Sequence, residues 1–356
     1  MKRRLLLQAA AAMPLAAPAW RVRAEGAGDA PSDAGWRRFE LTTRITLADP
    51  ESPATLWVPL AETLGDYQRA EAPRWTSGGQ SSELVRDERY GAPMLRVAWR
   101  GAPGAHTADI VQVVSARDRA AAEPASLSPA ERDFWTAPTA SLPTDGIVRA
   151  TAERVTAGIE GDRARLRALH EWVVERTFRD PETRGCGTGD IRALLESGRL
   201  GGKCADINGL MVGLARAAGI PARDVYGIRV AGSRQYPCLG TSGATVTKAQ
   251  HCRAEAFVEG AGWLPLDPAD VRKVVLEAKL PVDDPGVAAL RARSFGAWEG
   301  NWVGFNHATD IALPGAPHPM NANFLMYPCA MTPNGEADCL DPAGFRYDIA
   351  SRQVAA

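Results

Sequence analysis

Between residues 36 and 116 apolar and polar positions change places over short runs, and no helical period is sustained. Phe39 to Leu47 (FELTTRITL) alternates in part, as a half-buried strand does. Ala54–Leu60, Met94–Trp99 and Asp109–Val114 read as further strands, and clusters of Pro and Gly separate them. This pattern predicts a small β domain over residues 36–122, built as a sandwich.

The period then lengthens. The Pro-rich stretch 123–143 reads as a connection, and Gly161 to Phe178 carries Leu166, Leu169, Trp172 and Val173 at helical spacing. Asp190–Leu200 reads as a second, short helix. Cys204–Ala218 reads as a third, stopped by Gly219 and then Pro221. Strands follow: Asp224–Val230, then Cys252–Val258 and Trp263–Asp267 joined by the turn Glu259-Gly260-Ala261-Gly262. Helices followed by antiparallel strands predict an α+β domain over residues 123–280. Residues 281–356, rich in Pro, Gly and Asn, read as an irregular C-terminal extension.

The candidate chemistry lies where helix and hairpin meet. In Gly201-Gly202-Lys203-Cys204 two glycines let the chain turn into a helix whose first residue is Cys204. Free amides and the positive end of the helix dipole favour a thiolate there, and the thiolate is the nucleophilic form. If the hairpin turns near residue 260, His251 falls level with residue 269, and Asp267 becomes its diagonal neighbour. A carboxylate so placed fixes the imidazole tautomer and stabilises the imidazolium, while the other ring nitrogen faces the thiol. Cysteine, histidine and aspartate then form a nucleophile, a base and an orienting group. The oxyanion would lie against the Cys204 amide and a second donor, for which the loop Gly185-Cys186-Gly187 offers candidates. Asp206 and Asn208, one turn on, either brace this site or, for Asp206, only complement the helix dipole.

The segments GGKCADINGLMVGLARAAGIPARDVYGIRV and HCRAEAFVEGAGWLPLDPADV resemble the core motifs of the transglutaminase-like superfamily. That pattern runs Gly-x-Cys-x-Asp, a helix ending Gly-Ile-Pro-Ala-Arg, His-Ala-Trp-x-Glu, then Gly-Trp-x-x-x-Asp-Pro. It is met by Gly202, Cys204 and Asp206, by Gly219 to Arg223, by His251 and Glu255, and by Gly262, Trp263, Asp267 and Pro268. The resemblance covers about residues 150–280. It implies a papain-like core, often preceded by a β domain in bacterial members, and assigns catalysis to Cys204, His251 and Asp267. Cys252 and Arg253 depart from the pattern, which bears on substrate contacts beside the histidine. The implied activity is attack on an amide bond through a thioester, with a peptide, protein or cell-envelope amide as substrate and no cofactor. Water as acceptor gives a peptidase or amidase; an amine gives a crosslinking acyltransferase. A non-catalytic module that keeps the fold is the remaining alternative.

Other residues carry bland expectations. Glu255 reads as a salt-bridge partner of Arg223 or Arg253, and His170 as a surface or packing residue. Trp298, Trp302 and Phe305 read as core. His106, His307 and His318 sit in loops without metal-like spacing, and His251 with Cys252 lacks the spacing of a zinc site. No phosphate-binding glycine loop is present, and no Cys-x-x-Cys pair supports thiol–disulfide exchange.

Charge and the first residues add a location. Met1–Ala24 opens with Lys2, Arg3 and Arg4, continues through a Leu/Ala run and ends near small residues, the layout of a cleaved signal. Cleavage fits after Ala19 or Ala24, and residues 25–35 read as a linker. Arg3-Arg4 resembles a twin-arginine signal, although Lys2 and Leu6 depart from it; general secretion is the alternative, and an amphipathic first helix the plain one. The chain has 41 basic and 42 acidic residues; loss of the five basic residues through Ala24 takes the formal charge from −1 to −6. A mildly acidic chain lacks the electrostatic footprint of a nucleic-acid binder. A periplasmic or secreted protein without a membrane anchor is expected. Export permits disulfides, and of the six cysteines Cys329 and Cys339, which enclose AMTPNGEAD, form the expected pair.

Overall fold

The computed structural model describes residues 35–49, 52–101, 106–120, 125–316 and 321–355. The expected signal segment, the linker except Gly35, and His318 lie outside the described residues.

Two five-stranded sheets form a sandwich. In one, Arg37–Leu47 lies between His106–Ala116 and Phe345–Val354, and the short strands Gln68–Ala70 and Arg74–Ser77 pair with the far side of His106–Ala116. In the other the order is Gly335–Ala337, Cys329–Thr332, Pro53–Pro59, Pro93–Arg100, Ser81–Arg86. Side chains of a strand face alternate sides, so every second residue enters the core. Phe39, Leu41, Ile45 and Leu47 meet Leu56, Val58, Leu95 and Val97 of the facing sheet.

The α+β part is built on the helix Cys204–Ala217. Its residues from Cys204 to Arg216 are all buried, as expected of a helix enclosed by its own domain. The helices Gly146–Thr156, Asp162–Arg176 and Ile191–Glu196 pack around it, and on the other side lies an antiparallel sheet. The sheet order is Gly262–Leu266, Gln250–Val258, Ala222–Arg229, Trp302–Asn306. The helix stops where its sequence says it should: Gly219 has φ +78° and the Ile220 amide turns back to the Ala215 carbonyl at 2.9 Å.

The C-terminal stretch corrects the expectation of an irregular extension. Residues 281–355 carry the helix Pro285–Arg293 and six strands among the described residues. Trp302–Asn306 is the edge of the helix-backed sheet, and Phe345–Val354 pairs along its whole length with Arg37–Leu47. The first and last described strands therefore pair within the sandwich. The connection 123–143 also holds structure, the helix Pro129–Thr136.

Candidate active site

The start of the helix Cys204–Ala217 is pinned by Asp206. One carboxylate oxygen accepts the Lys203 amide at 3.0 Å; the other accepts the amides of Thr188 and Gly189 at 2.9 and 3.0 Å. Asp206 thus ties the loop 185–189 to the helix start, which decides between its two expected roles. Gly187 (φ +97°) and Gly202 make this approach possible, since a Cβ at either would overlap the Asp206 side chain. The Ala205 amide donates to the Cys186 carbonyl at 3.0 Å, so the Cys186 loop is held against the turn that begins at Cys204.

The hairpin supplies the other side. Ala254 pairs with Leu266, and that register puts residue 251 level with 269. His251 Nε2 donates to Asp267 Oδ2 at 2.8 Å. This bond leaves Nδ1 as the nitrogen available to Cys204. Asp267 Oδ1 accepts from Asn208 Nδ2 at 3.1 Å and from the Asp270 amide at 3.2 Å. Asn208 also donates to the Cys252 carbonyl at 2.8 Å and accepts the Ala269 amide at 3.2 Å. The helix that presents Cys204 is thereby cross-tied to the strand Gln250–Val258 and to the start of the helix Pro268–Glu277 that follows the hairpin. Two indoles hold that hairpin from behind: Trp302 donates to the His251 carbonyl at 2.8 Å and Trp298 to the Leu266 carbonyl at 3.1 Å.

Burial and neighbouring charge set the titration of the pair. The neighbouring Cys186 and Cys252 thiols hold the Cys204 thiol well below its usual value, and His251 adds to this; burial opposes them. The two neighbouring thiols are pushed well up, Cys186 by Cys204 and then burial, Cys252 by burial and then Cys204. Burial and the Arg229 charge push the His251 imidazolium down, but Asp267 and Asp270 outweigh them and its pKa is raised. Asp270 Oδ1 lies 3.4 Å from His251 Nε2 and is paired with Arg229. Arg253 Nε lies 3.4 Å from Asp267, and its guanidinium sits against the Trp298 and Trp302 rings at 5.3 and 4.8 Å.

His251, Asp267 and Asp270 bring their ligand atoms within 4.8 Å of one another. A divalent ion does not fit this group well, because both carboxylates already face buried guanidinium groups, Arg253 and Arg229. The arrangement reads as an ion network that holds an imidazolium. Over Cys204 and His251 opens a cavity of about 440 Å³, also lined by Gly185, Cys186, Gln250 and Tyr327. Of the loop amides considered as oxyanion donors, that of Gly187 is committed to the Arg184 carbonyl at 3.1 Å. Cys186 Sγ accepts from the Tyr327 hydroxyl at 3.0 Å.

The remaining candidates fall into place as structure. Glu255 pairs with Arg223 at 2.6 Å and also with Arg119, a residue the sequence reading did not name; Arg253 lies on Asp267 instead. His170 is fully buried and bonds Ser294 Oγ at 3.1 Å. Trp298, Trp302 and Phe305 are core. His106 opens a strand, not a loop, and packs on Trp99. His307 is held by the Asp224 carbonyl at 3.1 Å. All six cysteines are free, so the expected Cys329–Cys339 bridge is absent. The register explains it. Ala330 lies opposite Ala337, which puts Cys329 level with residue 338, and a one-residue offset turns Cys339 to the other face. Cys329 accordingly packs with Trp57 and Met94, and Cys339 against the core between the sheets. Asp270, Arg229 and Tyr327 were missed as site residues. Asp270 alone carried a local signal, lying three residues after Asp267 on the helix Pro268–Glu277.

A family model of the transglutaminase-like superfamily matches residues 149–268. An uncharacterised protein of Haemophilus influenzae is 32% identical over 338 residues, which cover 89% of this chain and 91% of that one. Among solved structures, a candidate cysteine protease from Cytophaga hutchinsonii aligns with a TM-score of 0.53 at 14% identity, over 91% of this chain and 92% of its own. The periplasmic domain of TgpA from Pseudomonas aeruginosa aligns over 70% of this chain and 92% of its own, with 16% identity and a TM-score of 0.35.

Proposed function

The chain belongs to the transglutaminase-like superfamily, and from that premise we propose that it is an exported thiol hydrolase of peptide or cell-envelope amides. Cys204 is the nucleophile, His251 the acid and base, and Asp267 the group that orients His251. One observation carries the reading: Cys204 opens a helix and lines a cavity together with His251, whose imidazole is fixed by Asp267 at 2.8 Å.

The Cys204 thiolate attacks the carbonyl carbon, and the oxyanion is held by the Cys204 amide and a second donor. The His251 imidazolium gives its Nδ1 proton to the amine nitrogen, the C–N bond breaks, and a thioester remains. Neutral His251 then takes a proton from water; the hydroxide adds to the thioester, and collapse expels the thiolate and releases the acid. The thiolate–imidazolium pair is restored.

Electrostatics favours water over an amine as acceptor. Six cationic side chains line the cavity, and they repel an incoming lysine ammonium but not water. The test is Cys204→Ala. The variant should keep the parent's melting temperature and lose all amide cleavage on a panel of envelope peptides, whereas the parent should show an acyl-enzyme by mass spectrometry. Equal turnover in the two proteins would remove the enzyme reading.

A further inference from the structure

The cavity over Cys204 carries one sign of charge. Arg179, Arg184, Lys203, Arg229, Lys248 and Lys273 line it, and no Asp or Glu does among the described residues. The chain as a whole is balanced, with 41 basic and 42 acidic residues, so the clustering is local. Three carboxylates behind the lining offset part of it. Asp270 pairs with Arg229, Asp338 with Arg184, and Glu277 lies 3.6 Å from Arg179 Nε and 3.8 Å from Lys273 Nζ. Four of the six cations share three acids, and Lys203 and Lys248 have no ion-pair partner among the described residues. These two flank the reacting pair: Lys203 directly precedes the nucleophile, and Lys248 stands three residues before His251. Burial, then the Arg229 charge, lowers the Lys273 pKa, as expected of an ammonium packed among like charges.

Resting on the thiol-hydrolase reading, we propose that this cleft selects acyl donors with negative charge beside the scissile amide, namely carboxylate-bearing peptides, with Lys203 and Lys248 as the specificity-determining cations. A cleft of one sign focuses its field and raises the local concentration of the opposite charge. A carboxylate beside the reacting carbonyl supplies the missing counter-ion, and a lysine there adds another cation to an uncompensated set.

The experiment uses the full chain and three tripeptide acyloxymethyl ketones that differ only in Glu, Gln or Lys next to the reactive carbonyl. Attack by Cys204 Sγ forms a thioether as the acyloxy group leaves as a carboxylate, and labelling is read at Cys204 by mass spectrometry. Iodoacetamide, small and neutral, reports thiol reactivity separately. The Glu probe should label at least about fivefold faster than the Gln probe, and the Lys probe slowest. Added salt should shrink the difference. In the Lys203→Gln/Lys248→Gln variant the Glu:Gln ratio, normalised to iodoacetamide, should fall to within about twofold of unity. Equal Glu and Gln rates in the parent, or a ratio unchanged in the variant, would overturn charge selection while fast iodoacetamide labelling kept the thiol reading. Iodoacetamide labelling no faster than that of an ordinary thiol would overturn the thiol reading and the selection together.

Discussion

Asn208 lies one turn into the helix that Cys204 opens, and its amide meets three partners: Asp267, the Cys252 carbonyl and the Ala269 amide. Asn208→Ala should leave these buried groups under-bonded and cost about 1–3 kcal/mol of stability. It should also lower kcat, because Asp267 loses a bond that aims it at His251. Urea unfolding and turnover of the variant check this, and a parent-like midpoint and kcat would contradict it. At this scale the sequence was most informative where a residue's place along the chain states its chemistry. Cys204 is at a helix start, and a short hairpin fixes the spacing of His251 and Asp267. Arg229 and Asp270 gave no such signal. They are 41 positions apart and both buried, and in a sequence a buried ion pair looks like two surface charges.

The helix Pro268–Glu277 carries a pH dependence through Asp270. Burial pushes this carboxyl up, but Arg229, His251 and Arg253 more than offset it and its pKa is lowered. A depressed acid adds stability above its unfolded value near ~3.9 and loses it as pH falls through the lower folded value. His251 is raised, so it adds stability below its unfolded value near ~6.5 and loses it as pH rises through the folded one. The two contributions overlap between about pH 4 and 6.5, where the urea midpoint should be highest. Asp270→Asn should flatten the acid limb and move the alkaline limb to lower pH, since an anion beside the imidazolium is gone. Coincident pH profiles for parent and variant would contradict this network. Elements with a local stop or turn signal, such as Cys204–Ala217 and the hairpin after it, were legible to within a few residues. The helix Pro129–Thr136 was missed under its prolines, although Ser128 and Glu131 cap each other across its first turn, a signature the sequence displays. The strands Gln68–Ala70, Arg74–Ser77 and Ser81–Arg86 are short and partly exposed, which leaves little alternation to read.

Across the whole molecule, the last strand closes the first sheet. Leu47 lies opposite Phe345, and Phe345, Tyr347 and Ile349 fill the sandwich core. Pairing over some 300 positions leaves no trace in either segment alone, so the C-terminal stretch read as irregular. No helix among the described residues is long and apolar enough to cross a membrane. The proposal of export rests on the first residues, with Arg3 and Arg4 ahead of a short apolar run. Arg3→Lys/Arg4→Lys should leave the precursor in the cytoplasm if it travels folded by the twin-arginine route. Unchanged levels outside the cytoplasmic membrane would point to general secretion.

The central claim, that Cys204, His251 and Asp267 act as one unit, is tested most directly by the rate of iodoacetamide modification at Cys204 against pH. Mass spectrometry separates this site from the other five cysteines. An ordinary thiol titrates near ~8.5 and loses its reactivity below that value. Cys204 should stay reactive well below pH 8, as one half of a coupled thiolate–imidazolium pair. Asp267→Asn should shift the profile towards higher pH by weakening the imidazolium, and His251→Ala should shift it further by removing the charge. A parent profile that matches a free thiol and responds to neither substitution would contradict the account.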